Sequence, residues 1–505
     1  MSYPRSFLLL GLSVLALASP VAAVKPTAGG LYLRARAAEA LGDTSGANAG
    51  FAALLAQLPG NVMIANHAYR QAMQAGDMAL ALRAAHVLEA QKAVPPDARI
   101  LLALEQVKAR DWVKARAATE LLAQDGAFGF LAPYFRAWIA VGSGEGDALA
   151  LAEAGRNLPF ASTYYPEQRA LLLIALGRAN EAASGLRPEA VPQLPARVKG
   201  PDEGLSPLLT HVATDLGRQQ YVPVGMLLAR MAVYVAPENG TSWLLLAELL
   251  QRMKRADLAL AALGHVDPAE PVAADARALR IALLNDSGKH EQALAEALAA
   301  TKSASAGIDD WGRVGDLYLI LSRPAEAAGA FAKALALAEA THAPADVIWP
   351  ILLQQGGALD LAGDWSAAKA AYERAYAIAP EQPTVLNQVG YSEIEHHEDV
   401  TRASAMIAKA NRLRPDDPAI TDSLGWVLHL QGKTNEAIPL LEKAAAGDPA
   451  EAAINEHLGD AYWSTGRVYE ARYAWRAALL TAEDKDKARL TAKIDTGLDK
   501  ATAAP

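Results

Sequence analysis

The chain of 505 residues carries a net charge of −9, has no cysteine, and is 52% apolar and 6% aromatic. That balance excludes wholesale disorder, disulfides, cysteine-built zinc sites and a lipid carried on an N-terminal cysteine. It also lacks the clustered Lys and Arg on which phosphate-backbone binding rests, so no nucleic acid is expected as partner.

Residues 1–23 read as a secretory signal peptide. Arg5 supplies the positive start, Phe7 to Ala18 the apolar core, and Val21-Ala22-Ala23 a small-residue cleavage site. The core is too short for a bilayer span. Export is expected, to the periplasm. Residues 24–186 then hold weak copies of a helical repeat, each with a turn glycine and a small residue five positions on: Gly42 with Ala47, Gly76 with Ala81, Gly177 with Ala182.

Residues 187–207, RPEAVPQLPARVKGPDEGLSP, contain five prolines and no helical stripe. They predict a loop, either a hinge between two arrays or a segment crossing an inner groove.

Residues 208–480 carry the strong period. Gly425 and Gly459 stand 34 residues apart, each in a Leu-Gly pair. Leu424, Gly425, Leu428, Gly432, Ala437, Leu441 and Ala444 are matched 34 positions later by Leu458, Gly459, Tyr462, Gly466, Ala471, Trp475 and Ala478. Gly356, Gly363, Ala368 and Tyr372 repeat the order, as do Gly315, Tyr318, Ala327 and Phe331. Small residues belong where two helices come close, and Leu441, Trp475 and Phe331 are expected to fill the gap to the next unit. Residues 481–505 predict a capping helix and a fraying tail.

This order resembles the tetratricopeptide repeat (TPR), whose 34-residue unit is a helix, a turn and a second helix. The resemblance implies an all-α, right-handed α-solenoid of about 12 helix-turn-helix units.

Gly432-Lys433-Thr434 looks like the end of a phosphate-binding loop. The first glycine of such a loop would fall at Val427, and a helix precedes where a strand is needed, so it reads as a helix-to-helix turn. His396-His397-Glu398-Asp399 reads as a solvated turn rather than a metal site, and Gly390-Tyr391-Ser392 lacks the strand and second glycine of a nucleophile elbow. Gly142-Ser143-Gly144-Glu145-Gly146 reads as a flexible turn. Cofactors, metals and nucleotides are not expected, nor is catalysis.

What the TPR resemblance implies for binding is a concave face lined by first-helix residues. The matching positions are Asn387, Tyr391, Asp422, Trp426, His429, Glu456, Asp460 and Trp463, with Thr241, Glu248 and Gln251 earlier. Trp426 and Trp463 are expected to stand exposed as partner anchors; the competing reading is packing against neighbouring repeats or the capping helix. Glu456, Asp460 and Asp422 would make the groove acidic and suit a basic or amino-terminal ligand. The Lys and Arg of a carboxylate clamp are missing there.

NQVGYSEIE, DSLGW and HLGDAYW, between Pro383 and Leu480, resemble the envelope TPR proteins of proteobacteria. Some of those are outer-membrane adaptors that bring a periplasmic carboxy-terminal processing protease to its substrates. The resemblance implies a scaffold or adaptor of the cell envelope with protein partners. A structural part of an envelope assembly or exopolysaccharide-export complex is the alternative. The missing lipid-acceptor Cys puts direct membrane anchoring in doubt.

Overall fold

A computed structural model describes residues 27–303 and 306–499; the expected signal peptide and the last residues of the tail lie outside them. Among the described residues there are 26 α-helices, three short 3-10 segments and no strand. No helix among them is long and apolar enough to cross a membrane.

The helices run in antiparallel hairpins, and one backbone feature marks each hairpin. A residue with left-handed φ follows the first helix: Gly42, Gly76, Arg110, Gly144, Gly177, Gln220, Lys254, Gly288, Ser322, Gly363, His397, Gly432 and Gly466. These are 13 hairpins, one more than the expected number. Five of the 13 turns use a non-glycine residue in the left-handed conformation that glycine takes most readily. An aspartate then often caps the second helix. Asp43, Asp77, Asp111, Asp364 and Asp399 each accept a hydrogen bond from the backbone N–H three residues on.

Five positions after most of these turns stands a wholly buried alanine, as at Ala47, Ala81, Ala115, Ala259, Ala293, Ala327, Ala368, Ala437 and Ala471. The first helix contributes a glycine at the crossing. A Cβ on Gly459 would come within 2.4 Å of the Trp475 ring, one on Gly425 within 2.8 Å of Leu441 Cγ, and one on Gly315 within 2.5 Å of Phe331. The large residues expected to fill the gap to the next unit are therefore seated against the glycine of their own hairpin. Burying each of them contributes roughly 1.5–3 kcal/mol.

The chain forms two compact units, residues 1–279 and 280–505. The proline-rich stretch is not the boundary between them. Only 187–200 lies outside α-helices, with a 3-10 segment at Pro188–Gln193; Pro201 starts the helix Pro201–Arg218, and Pro207 sits inside it. Proline fits a first helical turn because its missing N–H would have no intrahelical acceptor there. That helix packs on Ala132–Ser143 and Ala161–Ala175, which precede the stretch, and on Val222–Val235, which follows it.

Within the first unit, Val222–Val235 also packs on the early first helices Val62–Ala75 and Pro96–Lys108. Arg230 donates to the Gln74 carbonyl at 2.8 Å, Lys108 to the Tyr234 carbonyl at 2.8 Å, and Arg110 pairs with Asp202 at 2.9 Å. First helices of this unit are thus covered by the unit's own later hairpin. In the second unit the helix Asp484–Thr496 closes the array against Val468–Thr481.

Candidate functional site: the face of the first helices

In the second unit the first helices are Ile308–Ile320, Ala345–Leu361, Pro383–Glu395, Pro418–Leu430 and Ala452–Ser464. Several of their acidic side chains form a ladder, answered by a donor roughly one repeat later. Gln354 donates to Asp316 at 3.1 Å, His396 lies 2.6 Å from Asp360, and His457 Nδ1 lies 2.9 Å from Asp422 Oδ2. At the end, the terminal helix supplies the donors. Arg489 donates to Glu456 at 3.0 Å, and Lys493 donates to Glu456 at 2.6 Å and to both oxygens of Asp460 at 2.8 Å.

Lys493 is wholly buried, and Glu456 and Asp460 nearly so. A lone ammonium could not stay charged there; two carboxylates with short hydrogen bonds offset its desolvation. Asp460 also accepts from Trp475 Nε1 at 2.8 Å, tying the ion cluster to the helix crossing at Gly459.

Trp426 is 3% exposed, not an open anchor. Its indole lies between His457 (ring centroids 4.1 Å apart, 13° between planes) and His429 (5.2 Å, 28°). Burial works against the charged form of His457, but Asp422, Asp460 and Glu456 outweigh it and raise its pKa. His429 goes the other way, lowered by desolvation, and its Nδ1 lies 3.1 Å from Thr434 Oγ1. Trp463 is half-buried: its ring stands 5.4 Å from that of Trp475, and a Cβ on Gly497 would touch it. The chain end covers it, as the competing reading had it. Glu456 and Asp460 are likewise not open acids; their basic ligand is the chain's own terminal helix.

Asn387 and Tyr391 remain half-buried in the helix Pro383–Glu395. Asn387 Oδ1 and Asp422 Oδ1 are buried without a hydrogen-bond partner. Glu395, one helical turn beyond Tyr391, is exposed at its residue surface, and no hydrogen bond or ion pair holds its carboxylate among the described residues. Partial desolvation raises its pKa, reinforced by the charge of Asp360. Desolvation raises the Tyr391 phenol too, with Glu395, Asp422 and Glu456 adding to the effect, so these acids share one neighbourhood. In the first unit, Thr241 and Glu248 are exposed and Gln251 is half-buried.

The sequence reading missed Arg489 and Lys493. Their signal was present: two cations four positions apart on a helix whose Leu490 and Ile494 are apolar. The remaining motifs fall where turns and helices were expected. Gly432 is the left-handed turn between Pro418–Leu430 and Thr434–Gly447. Gly390-Tyr391-Ser392 lies within a helix, and Gly142 to Gly146 spans a helix end and its turn. His396 and His397 form a turn, although His396 is stacked on Trp365 at 3.8 Å rather than simply solvated.

No protein-family profile matches the chain. A TPR repeat-containing protein of Pseudomonas aeruginosa is 38% identical over 81 residues, 16% of this chain and 14% of that protein's length. Among solved structures, the yeast Tom70 protein aligns over 93% of this chain and 95% of its own (14% identity, TM-score 0.39). The Cut9–Hcn1 hetero-tetramer of the APC/C aligns over 92% and 88% (19%, TM-score 0.37). A tetratricopeptide repeat protein of Parabacteroides merdae aligns over 52% and 99% (12%, TM-score 0.44). These superpositions are too loose to carry an argument of their own.

Proposed function

The chain is a tetratricopeptide-repeat protein, and from that premise we propose that it is a non-enzymatic scaffold binding protein partners along the first helices of its second unit. The observation that carries this is the distribution of cover. First helices of the first unit pack against that unit's own helix Val222–Val235, and the last repeat is filled by Asp484–Thr496. The stretch from Pro383 to Leu430 keeps acceptors without donors.

The setting we propose is the bacterial cell envelope, with the protein exported to the periplasm. The leader at residues 1–23 supports export, and the resemblance of LGY, DSLGW and HLGDAYW to envelope TPR proteins supports an adaptor role. A periplasmic processing protease and its substrates are then the partners to look for, with peripheral attachment at the outer membrane.

Cross-linking in intact cells, followed by purification of the tagged protein from the periplasmic fraction and mass spectrometry, tests the proposal. A small set of specific periplasmic proteins is the expected result. Recovery of no partner, or of the tagged protein only in the cytosol, overturns it. Recovery solely within one large membrane complex would favour the structural-component reading.

A further inference from the structure

The second unit closes on a helix unlike the others. Asp484–Thr496 stands where the first helix of another hairpin would begin, yet among the described residues no second helix pairs with it. Seven of its 13 residues are charged, and it buries only Leu490 and Lys493. The helix it packs on, Val468–Thr481, buries Ala471, Ala474, Trp475 and Ala478. Ile494 and Leu498 add partly buried contacts to the same core. So little apolar cover is a weak offset to the conformational entropy of ordering a whole helix.

What holds this helix is charge. Lys493 Nζ donates to Glu456 Oε1 at 2.6 Å and to both Asp460 oxygens at 2.8 Å. Arg489, one turn earlier, donates to Glu456 Oε2 at 3.0 Å. Lys493 is the one wholly buried lysine among the described residues. Elsewhere in the unit Gly315, Gly425 and Gly459 receive Phe331, Leu441 and Trp475, contacts that select for size alone. Replacing a buried ion set by apolar residues of similar volume is often neutral or stabilising, so such a set is best explained by its selectivity for a register or a partner.

We propose that Asp484–Thr496 is an exchangeable occupant of the acidic face of Ala452–Ser464, and that a partner's helical segment carrying Arg and Lys four positions apart takes its place. This rests on the scaffold reading above; it adds the chemistry of the partner and the device that keeps its site closed. Glu456 and Asp460 are answered in the free protein by the chain's own cations and in the complex by the partner's, so neither state leaves them buried and bare. An uncharged or acidic segment cannot make that exchange. Because the tethered helix has the higher effective concentration, the partner needs contacts beyond the two cations to displace it.

The test uses the mature protein and a fluorescein-labelled peptide of residues 482–499, the terminal helix supplied in trans. A second peptide has Gln in place of Arg489 and Lys493. Anisotropy titrations compare the wild type with the double variant Arg489→Gln/Lys493→Gln, whose tethered helix has lost both cations. A quadruple variant carries Glu456→Gln and Asp460→Asn as well.

The double variant is expected to bind the native peptide about tenfold or more tighter than the wild type does, because its own helix no longer competes. The Gln peptide binds neither protein, and the quadruple variant loses the native peptide. Equal binding to wild type and double variant, or retained binding by the quadruple variant, would place the peptide elsewhere and overturn the proposal. So would a double variant that is folded by circular dichroism and binds no peptide.

Hydrogen exchange of the wild type decides the matter if the double variant does not fold. Amides of Asp484–Thr496 are expected to exchange through a local opening, ahead of those of Val468–Thr481. Exchange of both helices together at the rate of global unfolding would make the terminal helix a fixed part of the fold and overturn the proposal. Any of these failures leaves the scaffold reading itself to the cross-linking experiment.

Discussion

Two buried cations, one in each unit, are held in opposite ways. Arg230 of the first unit donates to the Gln74 carbonyl, and among the described residues its Nε has no partner and no carboxylate pairs with it. Desolvation, with Arg255 nearby, lowers it to about 10. Lys493 of the second unit is enclosed by two carboxylates. The first is a charge inserted where a carbonyl happened to be free; the second is one part of a complementary set. Backbone carbonyls accompany every residue, so a contact like that of Arg230 leaves no trace in sequence. A contact like that of Lys493 needs acids at defined spacing and does leave one.

Substitutions can break this contrast. Lys493→Met should cost about 3–5 kcal/mol, because it strands Glu456 and Asp460 in the interior. Arg230→Met should be close to neutral, or stabilising by ~1 kcal/mol, because an incompletely satisfied charge is replaced by an apolar side chain of similar length. Urea denaturation of both variants checks this, and equal losses would erase the distinction. Trp426→Ala should also cost about 3–5 kcal/mol, since the indole is buried between two imidazoles. A folded variant with unchanged stability would return Trp426 to the role of a surface anchor.

Gly459→Leu should lose about 1–3 kcal/mol by forcing the Trp475 ring off its seat, which in turn loosens the indole hydrogen bond to Asp460. A thermal melt indistinguishable from wild type would contradict that close crossing.

The smallest effect concerns pH. The folded-state pKa of His457 lies above its ordinary value near 6.5. Its stabilising contribution is therefore fully present below that ordinary value and is lost as pH rises through the raised one. Stability measured across neutral pH should fall less steeply in His457→Gln than in the wild type. A steeper fall in the variant would reverse the sign.

Much of the fold could be read directly. The 34-residue spacing of Gly425 and Gly459 and the alanines at 437 and 471 located the hairpins, because close helix crossings admit few residue types. The hairpin turning at Ser322 was read from Gly315, Ala327 and Phe331, whereas those turning at Arg110 and Gln220 were harder to see. There an ordinary side chain takes the left-handed turn, at a cost of roughly 1–2 kcal/mol that packing offsets. The candidate site was half legible. Its acids lie on the first helices as expected, but the occupant of the last pair was missed, and Trp426, left between a surface anchor and packing against neighbouring repeats, lies inside.

What the sequence alone determined was the helical hairpin, its repeat and the acidic character of the first helices. All three are local or periodic properties, set by spacing along one chain. The tertiary structure decided which acids are already answered: that Lys493 enters between Glu456 and Asp460, that His457 meets Asp422, and that Val222–Val235 covers early first helices of its unit. Those outcomes depend on side chains more than 30 residues apart meeting at hydrogen-bond distance, as Lys493 meets Asp460. Periodicity permits such meetings but cannot select them, because a hydrogen bond depends on differences of a few tenths of an ångström that only the packed helices fix.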